Sequence, residues 1–519
     1  MSIRPEDVPS DPARLAAMVL ALDAENDSLR AIVRTLKDVL FGARSEKAAV
    51  IDVDQLPLDL DDLAVGPTPP PPPANDEGGT ERKVDRPRRP ALRNIGALPK
   101  HLPRCEEVIE PETLVCPCCS GALHRIGEET REALDVVPAF VRVKRTIVPK
   151  YACRTCEGAI VQAKSPPRLV EGGMATTALV THVAVSKFAW HIPLYRQAQI
   201  FNGQGVRLDR STLALWMKRA AWWLKPLYER QLAAILSGSR VFSDETPMPV
   251  LDPGRGRTKC GQFWSHAVDD RPWGGPAPPA VAYIYAEGRS MADLASQVQS
   301  FTGILQVDGY GSYKGLARRH PQIQLAFCLA HARRKFVAVY KATHAPLARD
   351  VIASLGEVYA IEAQIRGRNA AERRAVRQAE TKPIMEALKA RLMTALADLP
   401  SRSSLVEAIK YMLGHGAGLT VFLEDGRIEV DTNTVERTMR PIALGRKNAL
   451  FAGSDSGART WAILASLINT AKLNDLDPQT YLADVLERMI SGRTPVNRLD
   501  ELLAWNWKAA RDALATAAA

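Results

Sequence analysis

The sequence predicts a multidomain α+β protein with an α/β domain in its second half. At 519 residues, the chain is long enough for about three or four structural units. A proline-rich stretch separates an N-terminal helical segment from the rest, and two apolar, partly β-branched runs in the second half end in Asp244 and Asp308. Such runs predict buried strands that deliver a carboxylate to their ends.

Charge and composition indicate the class of partner and the compartment. The formal net charge of +10 favours an anionic partner, nucleic acid ahead of a membrane surface. Hydrophobic content is 46%, as in globular proteins, and no stretch approaches the roughly 18 apolar residues that a membrane span needs. Residues 1–7 lack a signal-peptide pattern. We therefore expect no membrane association, a cytoplasmic location, and cysteines that serve as thiols or metal ligands.

Residues 1–47 predict a coiled-coil helix. Leucines recur at seven-residue steps, and four residues after each stands a second core position: Leu15, Leu22, Leu29 and Leu36, then Val19, Asn26, Val33 and Leu40. With the leucines at d, Asn26 is the polar a residue that commonly sets register in two-stranded coils. This pattern favours a homodimer through the coil. The alternative is an amphipathic helix packed on the body of the same chain.

Residues 48–98 predict a disordered linker. The run of prolines at 69–73 favours a stiff, extended segment. A basic patch follows it, comprising Arg82, Lys83, Arg86, Arg88, Arg89 and Arg93. The patch could touch phosphates, although a solvated run of charge explains it equally well.

Residues 99–165 predict a zinc-binding, ribbon-like unit. Two Cys-x-x-Cys pairs supply four thiolates for one tetrahedral structural zinc ion: Cys116, Cys119, Cys153 and Cys156. Cys118 is an alternative ligand, and a redox pair is the rival interpretation. The gap between the pairs exceeds the usual roughly 15–20 residues, and strands at residues 140–143 and 146–148 could fill it. Three other cysteines, Cys105, Cys260 and Cys328, are expected to be buried thiols.

Residues 170–237 predict a helix-turn-helix region. One helix precedes Pro193, a second begins there, and Gly203 and Gly205 form a turn before a third helix that Asp209 or Ser211 could cap. The third helix carries basic and hydroxyl side chains suited to DNA: Arg210, Ser211, Thr212, Lys218 and Arg219. Any small helical bundle would give a similar pattern.

Residues 238–450 predict the α/β domain. Strand-like runs at residues 241–247, 262–268 and 281–285 precede a short helix, the strand ending in Asp308, another strand at residues 323–328, and a helix that carries His331. Helical segments at residues 345–425 interrupt this order as an insertion. Three antiparallel strands, a helix, an aspartate-bearing strand and a further strand and helix form the ribonuclease-H-like order. In that fold Asp244 and Asp308 stand on neighbouring central strands.

Three acids are candidates for a metal-dependent catalytic site. Asp244 and Asp308 brought close together need a cation between them, and Glu436, about a turn inside a helix that Asp431 or Thr432 could cap, would complete a two-metal site. The alternative for Glu436 is an i,i+4 pair with Arg440. Other acids are weaker candidates, because Glu245 should point to the opposite strand face and Asp269 and Asp270 lie in a polar turn.

The chain resembles, over nearly its whole length, a transposase of the insertion sequence 66 family. The residues that carry the resemblance are Phe41-Gly42-Ala43-Arg44-Ser45-Glu46-Lys47, the two cysteine pairs, Pro193-Leu194-Tyr195-Arg196, Asp244-Glu245-Thr246-Pro247, Val307-Asp308-Gly309-Tyr310, Asn433-Thr434-Val435-Glu436-Arg437, Gly445-Arg446-Lys447-Asn448, Leu467-Ile468-Asn469-Thr470-Ala471-Lys472 and Asp477-Pro478. The resemblance implies a DDE transposase with its acidic triad at Asp244, Asp308 and Glu436. It also implies a C-terminal helical element, over residues 451–519, and small accessory proteins from the same mobile element.

The expected function is DNA transposition in a bacterial cytoplasm or nucleoid. Two Mg²⁺ ions held by the triad would support cutting at the element's ends and strand transfer into target DNA. Four basic residues that follow the glutamate are candidates to hold phosphates: Arg437, Arg440, Arg446 and Lys447. Two alternatives stay open, a DNA-binding regulator without catalysis and a metal-dependent nuclease without strand transfer.

Overall fold

The structure, a computed structural model, describes residues 11, 118, 120, 141–152, 160–252, 254–400 and 402–518. The chain divides into two compact units, Pro69–Arg145 and a larger one that includes Thr146–Ala519. Apart from residue 11, the predicted coiled coil and the predicted linker lie outside the described residues, as do the four predicted zinc cysteines. What the sequence predicts for these segments stays a prediction.

A short antiparallel hairpin begins the described part of the larger unit. Strand β1 (Lys150–Ala152) pairs with β2 (Ile160–Gln162). The strands predicted at residues 140–143 and 146–148 are wrong where the structure describes them, because residues 141–149 have no regular secondary structure. Val143 and Ile147 are 93% and 76% exposed, so their alternation with polar residues buries no apolar face.

Three helices follow, at the positions that the sequence predicts. They are α1 (Thr177–Phe188), α2 (Leu194–Gly203) and α3 (Arg210–Leu236). Gln197 on α2 donates to the carbonyl oxygens of Val183 and Ile192, at 3.2 and 2.9 Å, and so holds α2 against the end of α1. Asp209 occupies the N-cap position of α3, but its side chain makes no capping hydrogen bond.

A five-stranded mixed sheet forms the centre of the second half. Its strands are β3 (Arg240–Asp252), β4 (Arg257–Val268), β5 (Ala280–Ala286), β6 (Gly303–Val307) and β7 (Ile323–Phe327), in the spatial order β5-β4-β3-β6-β7. The pairs β3–β4 and β4–β5 are antiparallel, whereas β6 is parallel to both β3 and β7. The strands that carry Asp244 and lead to Asp308 are therefore neighbours.

Side chains alternate between the two faces of this sheet, as the two-residue period of a strand requires. Phe242 and Phe263 belong to one apolar cluster with the N-terminal and C-terminal helices. Val241 and Trp264 belong to another, which covers the opposite face. Two short helices supply that second cluster, α4 (Met291–Gln297) and α5 (Gly311–Arg319). Helix α5 was not predicted, because Gly309 and Gly311 indicated only a sharp turn.

The predicted insertion is helical. After α6 (Leu329–Thr343), its elements are α7 (Pro346–Ile365), α8 (Ala370–Val376), a π-helical turn (Arg377–Thr381), α9 (Lys382–Asp398), α10 (Ser404–Gly414), α11 (Gly416–Leu419) and α12 (Val421–Glu424). These helices share an apolar cluster with Ile304 and Ala326 of the sheet. Buried Arg377 donates to Glu362, at 2.7 Å, and to main-chain oxygens near the end of the insertion.

The C-terminal region is also helical. It consists of α13 (Asn433–Ala449), α14 (Asp455–Leu473), α15 (Pro478–Ile490), a 3₁₀ segment (Val496–Leu502) and α16 (Ala504–Ala518). Helix α14 lies along the outer edge of β5. The main-chain N–H groups of Tyr283 and Val281 donate to Ser466 and Thr470, at 2.8 and 3.0 Å, so the hydroxyls of α14 satisfy an edge that would otherwise be open.

Candidate active site

Strands β3 and β6 bring Asp244 and Asp308 to one place. The parallel register pairs Arg240 with Ile304 and Phe242 with Gln306, and continuing it by two residues brings Asp244 level with Asp308. Asp308 follows the last residue of β6. Asp244, by contrast, lies within β3, which continues to Asp252 along β4. Strand β3 therefore does not end at Asp244. Only its pairing with β6 stops near this residue, at Phe242.

Helix α13 supplies Glu436 from its first turn. Thr432 is the N-cap residue, and its carbonyl oxygen accepts from the Glu436 N–H at 3.1 Å. The Glu436 side chain is 3% exposed and accepts from Thr432 Oγ1 at 3.3 Å. Its ion pair is with Arg334 Nη2 of α6, at 2.9 Å, and His331 Nδ1 lies at 3.7 Å. Local spacing had suggested Arg440 instead, which is exposed.

The other two predicted acids act electrostatically on Asp244. Burial raises the pKa of Asp244 well above its usual value, and the charges of Glu245, Asp308 and Glu436 raise it further, while His331 lowers it. Carboxylates perturb each other in this way only when they are close together in a poorly solvated place. The site therefore concentrates negative charge that a cation would stabilise.

Glu245 belongs to this site, although alternation along the strand argued against it. Its side chain is buried and accepts from Tyr313 Oη at 2.8 Å, with Arg289 Nη2 at 3.7 Å. Burial raises its pKa to about 7, with a further contribution from the charge of Asp308. Glu245 does lie on the opposite face from Asp244, but Asp308 at the end of the adjacent strand is near enough to influence both. The strand period alone could not reveal this.

The two other acids considered from the sequence have structural partners. Asp269 accepts from Arg271, at 2.8 Å to Nη2. Asp270 is buried, not in an exposed polar turn, and pairs with buried Arg240 at 3.0 Å. Asp270 therefore stabilises the fold by pairing with the first residue of β3, at the opposite end of the β3–β6 ladder from the carboxylate cluster.

One cysteine lies beside the acids. Cys328, at the start of α6, is buried as predicted, and its Sγ accepts from the Thr432 N–H at 3.3 Å. Burial raises the pKa of this thiol to about 12, so it stays protonated. A ligand atom of Cys328 lies within 4.8 Å of one of His331 and one of Glu436. The prediction for Cys260 is wrong, because it is exposed near the solvent-facing end of β4.

The predicted DNA-contacting residues lie mainly on exposed helix surfaces. Arg210, Ser211, Lys218 and Arg219 are exposed on α3, with Thr212 partly buried; Arg437, Arg440 and Lys447 are exposed on α13. Arg446 differs, because its Nη1 donates to the Pro247 carbonyl oxygen and to Thr246 Oγ1. Arg446 thus holds α13 to β3 in this structure.

Four family models match the chain. The model described as "Transposase IS66 family" matches residues 172–460, more than half of the chain, and "IS66 C-terminal element" matches residues 466–505. "Zinc-finger binding domain of transposase IS66" matches residues 113–157, which supports zinc binding there. "Transposase C of IS166 homeodomain" matches residues 28–107, a region that includes part of the predicted coil and the predicted linker.

Three relatives from Sinorhizobium fredii (strain NBRC 101917 / NGR234) match over nearly their full length. Uncharacterized protein y4jD is 56% identical over 514 residues, 98% of this chain and 99% of the relative. Uncharacterized protein y4qI is 39% identical over 96% of this chain and 92% of its own length, and uncharacterized protein y4hP is 36% identical over 94% and 90%.

These matches define the class: the chain is a transposase with DNA-binding domains, an enzyme class that acts on polynucleotides. More narrowly, the chain belongs to the IS66 transposase family. Among the described residues, no helix is long and apolar enough to span a membrane.

Proposed function

We propose that this protein catalyses metal-dependent DNA cleavage and strand transfer through Asp244, Asp308 and Glu436, on a ribonuclease-H-like sheet. The observation that carries the proposal is the parallel register that brings Asp244 level with Asp308, together with the raised pKa of Asp244, which burial causes first and the charges of Glu245, Asp308 and Glu436 increase. The strand order β5-β4-β3-β6-β7, with three antiparallel strands followed by two parallel ones, supports the fold assignment.

The residues at this site fit a divalent cation. Carboxylate oxygens are the ligands that Mg²⁺ prefers, and a cation would offset both the burial and the neighbouring negative charges that raise the pKa of Asp244. Asp244, Asp308 and Glu436 would hold two Mg²⁺ ions. When bound, such ions neutralise charge on the phosphoryl group and lower the pKa of an attacking water or 3′-hydroxyl.

Neighbouring side chains position these acids. The Tyr310 N–H donates to Asp308 Oδ1 at 2.8 Å, and the Asp244 carboxylate accepts from the Glu245 N–H at 2.9 Å. Arg334 and Thr432 hold the carboxylate of Glu436 from two sides. Hydrogen bonds of this kind fix carboxylate orientation before a substrate arrives, and preorganised charge is the main source of catalysis in such sites.

DNA recognition is assigned to the N-terminal half. Helices α2 and α3 would read the ends of the mobile element, with Arg210, Ser211, Thr212, Lys218 and Arg219 toward the DNA. The zinc unit would assist them, with Cys116, Cys119, Cys153 and Cys156 as ligands of one Zn²⁺. Arg437, Arg440 and Lys447 are exposed on the helix of Glu436 and are proposed to contact phosphates near the site. Arg446, held by Pro247, is proposed to act after release from this contact.

The proposed assembly is a homodimer through the N-terminal coil, which would bring two element ends together. Small accessory proteins from the same element are proposed partners, and the bacterial cytoplasm or nucleoid is the proposed location. A nuclease without strand transfer and an inactive DNA-binding regulator are distinguished from the proposal by the following assay.

The test is cleavage and strand transfer on DNA that carries the element's inverted repeats, with a supercoiled target and Mg²⁺. Asp244→Asn, Asp308→Asn and Glu436→Gln each remove a charge and nearly preserve shape. We expect each to reduce cleavage by about 10²-fold or more, because metal-borne charge stabilisation is lost. Binding to the repeats should survive, since other surfaces carry it.

Asp269→Asn is the matched control and should retain activity. Asp270→Asn is unsuitable, because it would leave buried Arg240 without its carboxylate. Normal cleavage by Glu436→Gln, with wild-type activity intact, would move the third ligand elsewhere. Cleavage without strand transfer by the wild type would favour the nuclease.

A further inference from the structure

Two residues from the helical insertion contact the turn that follows Asp308. Tyr411 Oη donates to the main-chain oxygen of Asp308 at 3.0 Å. The His415 ring lies against Gly309, where an added Cβ would come within 2.9 Å of His415 Cδ2. Gly309 also has a φ of +98°, so a larger residue is excluded by both conformation and space. The insertion therefore contacts the turn at the end of β6 that carries Asp308.

Hydrogen bonds establish the state of His415. Its Nδ1 lies 2.7 Å from the Tyr411 carbonyl oxygen, which can only accept, so Nδ1 carries the hydrogen. Its Nε2 lies 2.6 Å from Lys314 Nζ and therefore accepts from the ammonium group. Burial first, and then the charge of Lys314, lower the pKa of His415, which keeps the ring neutral. The histidine thus orients Lys314 and occupies only one of its three donors.

A second lysine lies close to the same pair of rings. The Tyr411 and His415 rings stack, with centroids 4.1 Å apart, and Lys335 Nζ lies 4.5 Å from the Tyr411 ring centroid. Both lysines are partly exposed. Among the residues that the structure describes, no carboxylate lies within 4.0 Å of either ammonium, although burial lowers the pKa of Lys314 and the nearby charge of Asp308 raises it by a smaller amount. Two oriented cations with unused donors therefore lie at the edge of an acidic site.

An acidic catalytic cluster repels the DNA backbone that it has to bind. Cations that hold a phosphate beside the acids would offset this repulsion, and each such contact releases counterions from DNA. We infer that Lys314 and Lys335, held by His415 and Tyr411 of the insertion, form a binding site for a backbone phosphate of the DNA strand that reaches Asp308. This inference rests on the proposed function and assigns the insertion a role in substrate binding.

The first test measures binding of the full-length protein to a duplex of the terminal inverted repeat, in buffer without Mg²⁺ so that no cleavage occurs and the proposed zinc ion is kept. Affinity is measured by fluorescence anisotropy over a range of KCl concentrations. The slope of log K against log[salt] is negative, and each lost phosphate contact reduces its magnitude by about 0.9. Because both lysines hold the same phosphate, Lys314→Gln and Lys335→Gln should each reduce this magnitude, and the two changes together should reduce it by about 0.9. Lys314→Arg should keep the slope, and Lys389→Gln, exposed on α9, is the matched control.

The second test locates the phosphate. Uncharged methylphosphonates replace, one at a time, the phosphodiesters nearest the cleavage position. At one position the wild type should lose affinity, whereas Lys314→Gln should lose less, because one of the two cations at that phosphate is already absent. The inference is overturned if Lys314→Gln is as sensitive as the wild type at every position. Unchanged slopes in both glutamine variants would overturn it as well.

Other outcomes separate the two proposals. Normal wild-type binding with unchanged slopes contradicts the lysine site alone. Failure of the wild type to bind the repeat contradicts the proposed function and this inference together. If Lys314→Gln unfolds, as judged by its thermal midpoint, His415→Leu replaces it, since that change removes the acceptor that orients Lys314 and should also reduce sensitivity at the same phosphate.

Discussion

At the scale of single residues, the carboxylates around Asp308 differ in their surroundings. Glu436 has a cationic partner in Arg334. Glu245 is buried against Tyr313, and burial together with Asp308 raises its pKa to about 7 from a usual value of 4.5. Glu245 is therefore one of the carboxylates whose titration should be visible near neutral pH in metal-free protein, as is Asp431, whose pKa burial raises to about 6.

We expect Glu245→Gln to flatten the dependence of stability on pH. A raised folded-state pKa means that the folded protein binds this proton more tightly than the unfolded chain does. The stabilisation is complete below about pH 4.5 and is lost as pH rises through about 7. Between pH 5 and 8 the wild type should lose about 2 kcal/mol more than the variant.

The measurement is the free energy of unfolding by urea in buffer without Mg²⁺ at both pH values. Glu386→Gln, exposed on α9, is the control and should follow the wild type. An identical pH dependence in wild type and Glu245→Gln would mean that Glu245 is ionised at pH 5 in the folded protein.

At the scale of secondary-structure elements, polar side chains determine how helices meet the sheet. The edge of β5 is satisfied from two helices. Gln231 of α3 and Thr470 of α14 both bond to the Val281 main chain, and Tyr228 Oη donates to the Tyr283 carbonyl oxygen at 2.7 Å. Helices α3 and α14 therefore close an edge strand that would otherwise pair with other chains.

Thr470→Val should lower stability by about 1–3 kcal/mol, because it leaves the buried Val281 N–H without an acceptor while preserving shape. Thr516→Val, on the exposed face of α16, should change it by less than about 0.5 kcal/mol. Both are measured by chemical denaturation. Equal effects of the two changes would indicate that water or another side chain satisfies the β5 edge.

At the scale of the whole molecule, two predictions concern segments outside the described residues. The first is zinc binding, which the zinc-finger match at residues 113–157 supports. We expect about one zinc ion per chain by elemental analysis, lost when Cys153 and Cys156 are replaced by Ser. The Cys260→Ser variant, changed at the exposed end of β4, should keep the metal. Zinc-free, folded wild-type protein would contradict the prediction.

The second concerns assembly. Deletion of residues 1–47 should lower the molar mass measured by light scattering, because the Leu15–Leu36 heptads with Asn26 predict a two-stranded coil. Asn26→Val tests the same segment without deletion and should change the oligomeric state or its stability. An unchanged mass after deletion would mean that the helix packs within its own protomer.

Much of the fold was predictable from local pattern. Strand-length apolar runs, the helix start at Thr432 and the three helices before β3 were all visible, because each depends on residues a few positions apart. The misses have physical causes. The start of α5 was missed because Gly309 and Gly311 indicated a turn and not a helix. Val143 and Ile147 alternate with polar residues as in a strand, but both are exposed and pack on no core.

By itself, the sequence determined the family, the five strands of the central sheet, and the three acids proposed for catalysis. Only the tertiary structure decided which groups surround those acids: Arg334 beside Glu436, Glu245 near Asp308, and Tyr411 and His415 of the insertion against Gly309. These contacts join residues separated by tens to hundreds of positions. Periodicity records which face of an element is apolar, but it carries no information about which distant element packs there.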